Sequence, residues 1–159
     1  MKIAFGYKMR SGKDTSADYL LNKYGGTKIS FAKPIYDILE FAQTTCNFEL
    51  KKDREFLRWV ANWAKRKDPN IWINLALSQV QKDENYYCSD LRFLNELDCL
   101  KKQGWICVRV VRNEVEEKDL DQSEVELDKY TSWDYVIENN GTLEELYDKL
   151  DDLVRLINY

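Results

Sequence analysis

A segment near the start of the chain carries the residue types that bind phosphate. Residues 6–15 have the sequence GYKMRSGKDT, follow a short apolar run and precede a stretch with apolar residues at helical spacing. This order of strand, loop and helix lets backbone N–H groups and a helix N-terminus face an anion. Gly12 would let the backbone curl, and Lys13 would reach the outer phosphates of a nucleoside triphosphate.

The segment departs from the strict phosphate-loop pattern GxxxxGK[ST] at two positions. Tyr7 stands where the pattern has its first glycine, and Asp14 follows Lys13 where the pattern has serine or threonine. Because strand, turn, Gly-Lys pair and helix coincide, we predict that five consecutive residues bind the phosphates of ATP: Ser11, Gly12, Lys13, Asp14 and Thr15. The alternative is a glycine turn with a surface lysine.

An acidic residue follows the apolar residues of a later predicted strand. Asp90 comes after the sequence YYCS, and an acid at the end of a strand beside a phosphate loop can hold Mg²⁺ directly or through water. Thr15 is the second candidate metal ligand. The alternative for Asp90 is a helix N-cap.

Three arginines could neutralise phosphate groups. Arg92 could bind the acceptor phosphate with both arms of its guanidinium group, or form an ion pair with Glu96 four residues later. Arg10, inside the loop, could bridge donor and acceptor phosphates, or be an ordinary exposed arginine. Arg112, at the end of a predicted strand, could contact the base or phosphates of ATP, or be a strand-end charge.

The elements that must position these residues alternate between strand and helix. Short apolar runs predict strands, and apolar residues at helical spacing between them predict helices. The predicted strands are 2–6, 27–31, 85–89, 105–111 and 133–137, and the predicted helices are 12–24, 33–42, 49–67, 70–81, 93–103 and one beginning at Thr142. This alternation predicts an α/β fold with a mostly parallel five-stranded sheet and helices on both faces. Ligands of such sheets bind at the carboxyl ends of strands, so the loops after the first, third and fourth strands are the expected site.

Composition excludes several kinds of site and partner. The chain of 159 residues has no histidine, which excludes a Ser-His-Asp triad and metal sites that need imidazole. Its four cysteines form no CxxC pair, so zinc and disulfide frameworks are not expected. With a net charge of −4, no stable nucleic-acid partner is expected. We predict one domain over residues 1–159, no membrane partner, and a cytoplasmic location, in the host cytoplasm if the chain is phage-encoded.

Several motifs together resemble the phage-type deoxynucleoside monophosphate kinases. The segments SGKDT at 11–15, SFAKP at 30–34, SDLRFLNE at 89–96, the pair Ser123-Glu124 and DYVIENNGT at 134–142 resemble motifs of that family and occur in its order. The resemblance extends from residue 3 to about residue 154. It implies a P-loop kinase three-layer fold with ATP and Mg²⁺ as cofactors.

The resemblance also implies acceptor-binding residues in the middle of the chain. Arg66 precedes DPNIW in the way that a family arginine precedes Asp-Pro-x-x-Trp, and would face the acceptor nucleotide; the alternative is a solvated charge. Lys33 could neutralise the acceptor phosphate or be an ordinary helix-start lysine. Trp72 could stack on a base or be a core tryptophan. Residues 61–63 are Ala-Asn-Trp where the family often has Gly-Thr-Glu, so base preference stays open.

These observations predict an ATP-dependent nucleotide kinase. It would transfer the γ-phosphoryl group of ATP to a deoxynucleoside monophosphate, with Lys13, Arg10, Asp90 and Arg92 as the catalytic residues and a mobile lid-like region at residues 113–130. A kinase acting on a modified base in DNA, a non-catalytic nucleotide-binding module and a structural domain without a ligand are the alternatives. A homodimer is left open.

Overall fold

The computed structural model describes residues 1–113 and 126–158, in which five strands form one parallel sheet. The strand order is β2-β3-β1-β4-β5, and every neighbouring pair is parallel. The strands are β1 (Lys2–Gly6), β2 (Thr27–Ile29), β3 (Tyr86–Leu91), β4 (Ile106–Val111) and β5 (Tyr135–Glu138). The helices are α1 (Lys13–Tyr24), α2 (Lys33–Thr45), α3 (Arg54–Lys65), α4 (Ile71–Leu77), α5 (Leu94–Lys102) and α6 (Leu143–Ile157). The predicted α/β class is confirmed.

The chain divides into two compact units. Met1–Ile29 and Val80–Tyr159 form the first, which contains the sheet, and Ser30–Gln79 form the second, which contains α2, α3 and α4. The prediction of a single domain stays a prediction. None of the helices in the described ranges is long and apolar enough to cross a lipid bilayer.

The first unit has a core between the sheet and two helices. Strand residues such as Ile3, Phe5 and Val108 pack with Leu20 of α1 and Leu150 of α6, and all five are fully buried. A parallel sheet covered by helices has strands that are apolar throughout, which is why the sequence shows runs instead of alternation.

The strand order places β1 in the middle of the sheet and helices on both of its faces. From β1 the chain passes through α1 to β2 on one side, and from β3 it passes through α5 to β4 on the other side. Because such crossovers are right-handed, α1 and α5 lie on opposite faces. The carboxyl ends of all five strands lie at the same edge of the sheet.

The second unit is built from helix contacts. Residues of α2 contact α3, and residues of α3 contact α4. Helix α3 begins at Arg54 because the Asp53 side chain accepts a hydrogen bond of 2.9 Å from the N–H of Phe56. This cap makes the helix shorter than the predicted segment 49–67.

The predicted lid at 113–130 lies largely outside the described residues, as does the pair Ser123-Glu124. Its described end is anchored in the first unit. Leu127 is 2% exposed, and the Glu126 carboxylate accepts a hydrogen bond of 2.8 Å from the N–H of Leu94.

Candidate active site

The loop between β1 and α1 has an unusual backbone. Three of its residues have positive φ angles, with values of 98° at Tyr7, 61° at Arg10 and 106° at Gly12. Changes between right- and left-handed backbone turn successive N–H groups toward one concave side, where they can bind an anion. The loop is therefore shaped for phosphate even though Tyr7 stands in place of the first glycine.

Gly12 and Asn139 fix the loop against the end of β5. The Asn139 side-chain amide donates a hydrogen bond of 2.9 Å to the carbonyl of Ser11. A Cβ atom on Gly12 would lie 2.4 Å from the Asn139 Nδ2 atom, so this approach leaves room only for glycine. The backbone N–H of Asn139 also donates to the carbonyl of Val111 at 2.7 Å. One asparagine thus links β4, β5 and the phosphate loop.

Lys13 is held inside the first unit. Its side chain is buried, with 6% of the residue exposed, and its Nζ atom donates a hydrogen bond to the carbonyl of Lys8 within the same loop. Lysine is almost never buried without a partner for its charge. This lysine can offer the same ammonium group to a phosphate oxygen.

A cavity of about 310 Å³ opens beside the loop. It brings together most of the residues that the sequence assigned to ATP, and adds residues from the segment between β5 and α6. Its lining comprises Arg10, Gly12, Lys13, Asp14, Thr15, Arg112, Asn139, Gly141, Thr142, Leu143 and Leu146. The lining includes the cationic side chains of Arg10, Lys13 and Arg112 and the apolar side chains of two leucines.

Asp14 contacts the end of β3 through Ser89. The Ser89 hydroxyl donates a hydrogen bond of 2.6 Å to Asp14 Oδ1, and Lys28 Nζ lies 3.3 Å from the same atom. Burial raises the pKa of Asp14, but the Ser89 hydrogen bond and the charges of Lys28 and Lys13 outweigh it, so the pKa lies below its ordinary value. Asp14 is therefore a carboxylate at neutral pH.

The segment after β3 is held by a buried acid. The Glu96 carboxylate accepts hydrogen bonds from the N–H groups of Arg92 at 2.9 Å and Phe93 at 3.0 Å. Asp90 accepts a hydrogen bond of 3.1 Å from the Cys88 thiol. Since β3 is parallel to β1 and Leu91 is paired with Gly6, Asp90 and Arg92 lie at the same sheet edge as the phosphate loop. Neither Asp90 nor Arg92 lines the cavity beside the loop.

Comparison with known proteins decides the family. Residues 60–150, more than half of the chain, match the deoxynucleotide monophosphate kinase family. The chain belongs to this family. It is a kinase, and the predicted family is confirmed.

Relatives and a solved structure agree with this membership. A protein of Acanthamoeba polyphaga mimivirus, whose name provisionally assigns it to the same family, is 29% identical over 88% of this chain and 89% of its own length. The deoxynucleotide monophosphate kinase of Escherichia phage RB69 is 31% identical over 55% of this chain and 38% of its own length. Shikimate kinase from Aquifex aeolicus shares the fold, with a TM-score of 0.54, 12% identity and coverage of 98% of this chain and 96% of that one.

The oxygen atoms beside the loop of this kinase suit Mg²⁺. Magnesium takes one or two protein oxygens and fills its other positions with water and substrate phosphates. The cavity lining offers the Thr15 hydroxyl and the Asp14 carboxylate, and Asp90 lies on the neighbouring strand. Residues 1–113 and 126–158 contain no group of three or more acidic or cysteine residues placed to hold a metal. An ion that is held mainly by phosphates and water needs no such group.

The second unit contains the other three predicted acceptor residues. Lys33 is 2.8 Å from Asp37 in an exposed ion pair, which favours the helix-start alternative. Trp72 is 5% exposed and its indole N–H donates to the carbonyl of Ala61 at 3.2 Å, which favours a core tryptophan over one that stacks on a base. Arg66 is exposed at the end of α3 and makes no ion pair within the described part of the chain.

Sequence reasoning missed the segment after β5. Asn139, Gly141 and Thr142 were included in a family-like motif, but no functional role was assigned to them. Thr142, where the last helix was predicted to begin, caps that helix, since its side chain accepts a hydrogen bond from the N–H of Glu145 at 3.2 Å. The available signal was the position of the motif, because a loop that follows a fifth parallel strand must end at the same sheet edge as the phosphate loop.

Proposed function

We propose that this chain transfers the γ-phosphoryl group of ATP to a deoxynucleoside monophosphate, giving ADP and the diphosphate. The observation that carries the proposal is the buried Lys13, beside a cavity whose lining includes the phosphate loop. Membership of the deoxynucleotide monophosphate kinase family supports the choice of acceptor.

The lining of the cavity supports the proposed binding of ATP. Lys13 and the backbone N–H groups of residues 10–15 would hold the β- and γ-phosphates, and Ser11 contributes through its backbone. Arg112 and the segment from Gly141 to Leu143 would take the adenosine part, because the apolar Leu143 and a planar guanidinium group both suit a base face. Asn139 would keep the phosphate loop and this segment in fixed relation.

The transfer step requires little proton chemistry. An anionic oxygen of the acceptor phosphate would attack the γ-phosphorus, forming one P–O bond while the bond to the bridging oxygen of ADP breaks. The chain has no histidine, and none is needed because the attacking oxygen is already ionised. Arg10 and Arg92 would reduce the repulsion between two anions and stabilise the charge that develops on the transferred group.

Thr15 and, through water, Asp90 would hold Mg²⁺, which when bound neutralises charge on the β- and γ-phosphates. Asp14 would remain ionised beside them, oriented by Ser89. Contact of Lys33, Arg66 and Trp72 with the acceptor stays a prediction, and of these three residues only Arg66 is exposed and makes no ion pair within the described part of the chain.

The testing experiment is a coupled ADP-release assay with ATP, Mg²⁺ and each common or modified deoxynucleoside and ribonucleoside monophosphate. Lys13→Met removes the ammonium group while keeping a long side chain, and the exposed Lys102→Ala is the matched control. We expect turnover with one or a few monophosphates that Lys13→Met loses and Lys102→Ala keeps. Absence of turnover with every monophosphate, in a folded chain that still binds ATP, would reject the proposal.

A further inference from the structure

Tyr7 has a backbone conformation that tyrosine rarely adopts. Its φ angle is 98°, in the left-handed region where a bulky side chain is strained. It directly follows β1, where the strict phosphate-loop pattern has a glycine that takes such angles without cost. Strain of this kind persists only where the surroundings enforce it.

An arginine from the neighbouring strand lies on the Tyr7 ring. The Arg109 Cζ atom is 3.9 Å from the ring centroid, and Arg109 is paired with Gly6 in the register of β1 and β4. The Arg109 Nε atom is buried and makes no hydrogen bond within the described part of the chain. A guanidinium group on an aromatic face is attracted to it, the more so where water is partly excluded, so the ring is a main partner of this half-buried cation.

A second cation approaches the same ring from within the loop. The Lys8 Nζ atom is 5.5 Å from the Tyr7 centroid, and the carbonyl of Lys8 accepts the hydrogen bond of Lys13. The position of the Tyr7 ring therefore affects the residue that holds the Lys13 ammonium group. A substitution that moves the Tyr7 ring can therefore alter the position of Lys13 through Lys8.

We propose that Tyr7 and Arg109 act as a pair of positioning residues for the phosphate loop. Arg109 fixes the position of the Tyr7 ring, and the ring stabilises the left-handed turn after β1. This turn sets the position of the Lys8 carbonyl, which in turn sets the position of the Lys13 side chain in the absence of ligand. The pair replaces the first glycine of the strict pattern with a contact between the residue after β1 and a residue of β4. This inference rests on the proposed function, since the ligand that the loop receives is the triphosphate of ATP.

The test compares Tyr7→Phe, Tyr7→Leu, Tyr7→Gly, Arg109→Met and the double variant Tyr7→Leu/Arg109→Met. Phe keeps the ring, Leu removes the ring but keeps the strain, and Gly removes both. For each variant the dissociation constants of ATP and inorganic tripolyphosphate are measured by calorimetry, together with KM for ATP, kcat and the melting temperature. Tripolyphosphate lacks a nucleoside base, and the calorimetry contains no acceptor nucleotide. Binding of tripolyphosphate therefore reports on the phosphate loop alone.

We expect Tyr7→Phe to bind tripolyphosphate like the unmodified chain. Tyr7→Leu, Tyr7→Gly and Arg109→Met should each weaken it about tenfold, the effect of losing one half-buried cation–ring contact, with KM for ATP raised more than kcat is lowered. The double variant should be no weaker than the single variants, because all remove the same contact.

Two results would overturn the inference. One is unchanged tripolyphosphate binding in Tyr7→Leu and Tyr7→Gly with only a lower melting temperature, which would make the pair merely structural. The other is multiplication of the two single effects in the double variant. Failure of the unmodified chain to bind tripolyphosphate would reject the pair together with the phosphate loop, whereas intact binding without turnover would reject only the proposed function.

Discussion

The side-chain amide of Asn139 donates a hydrogen bond of 2.9 Å to the carbonyl of Ser11, across 128 positions of sequence. It joins the end of β5 to the phosphate loop, and the asparagine itself is buried. Water cannot replace this hydrogen bond to the Ser11 carbonyl unless the loop rearranges.

Asn139→Ala is therefore expected to weaken both stability and ATP binding. The free energy of unfolding should fall by about 1–3 kcal/mol, because a buried carbonyl loses its partner, and KM for ATP should rise. Chemical denaturation and steady-state kinetics measure the two effects. Asn140→Ala is the neighbouring control: Asn140 accepts from the N–H of Asn113 at 2.8 Å and has no described contact with the loop. Equal effects of the two changes on KM would contradict the role given to Asn139.

Gly12→Ala should abolish nucleotide binding while leaving part of the fold intact. The added Cβ would meet Asn139 Nδ2 at 2.4 Å, on a residue with φ of 106°. Gly104→Ala is the matched control, since Gly104 has φ of 74° and open space around its Cβ position. Both changes should cost about 1–2 kcal/mol for the left-handed backbone, and Gly12→Ala about 1–3 kcal/mol more for overpacking. Similar losses of stability in thermal denaturation would refute the importance of the close approach.

Ser89→Ala should change catalysis through Asp14. The Ser89 hydroxyl contributes to the lowered pKa of Asp14, and it fixes one carboxylate oxygen at 2.6 Å. We expect the Mg²⁺ concentration needed for half-maximal activity to rise, with little change in the melting temperature. Ser78→Ala, at an exposed serine of the second unit whose hydroxyl donates a hydrogen bond to the carbonyl of Leu75, is the control. An unchanged Mg²⁺ dependence in Ser89→Ala would remove Asp14 from the metal environment.

Asp151 should make a pH-dependent contribution to stability. Burial raises its pKa, but hydrogen bonds from Lys23, Tyr24 and Tyr19 outweigh burial and hold the pKa below its ordinary value of 3.8. A lowered pKa means that the stabilisation is present above pH 3.8 and is lost as pH falls through the folded-state value.

The measurement is urea denaturation of the unmodified chain and Asp151→Asn from pH 7 to pH 2.5. The stability difference should be largest at neutral pH and should shrink toward the acidic end. Asp152→Asn breaks only an exposed ion pair with Arg155 and should have a small effect throughout. A difference for Asp151→Asn that does not vary with pH would contradict the assignment.

The cysteines should differ in reactivity toward a thiol reagent such as Ellman's reagent at pH 8. Cys46 is exposed, whereas Cys88 and Cys107 are buried. Burial raises the pKa of Cys107 to about 12 and that of Cys88 well above its ordinary value, so little of either is present as the reactive thiolate. We expect Cys46 to react rapidly and the two buried thiols only after denaturation. Rapid reaction of more than two thiols in the folded chain would contradict the packing of β3 and β4.

The order of strands and helices was predictable because each buried strand is a short apolar run bounded by turn residues. The ends of the elements were less predictable. The predicted helix 70–81 is Ile71–Leu77 in the structure, and the predicted strand 27–31 is Thr27–Ile29. These ends depend on local hydrogen bonds and tertiary pairing that periodicity does not report.

The loop between β1 and α1 was predictable for a different reason. Its proposed function in phosphate binding depends on local residues, Gly12 and Lys13, in a fixed order between a strand and a helix. The positive φ of Tyr7 was not predictable, because it coincides with a contact to Arg109, which is distant in sequence and lies on the neighbouring strand β4. The role of Asn139 was hidden in the same way, since its partner Ser11 is brought near only by the sheet topology.

The cavity is assembled from three distant parts of the chain, at residues 10–15, at Arg112 and at 139–146. A ribosome must therefore complete β5 and the start of α6 before the proposed ATP site is finished. Under that proposal ATP stabilises only states that already bind it, so it does not assist early collapse around β1 and β3. Nucleotide binding during synthesis would report that the last strand has docked, and a folding intermediate without that strand would gain nothing from the ligand.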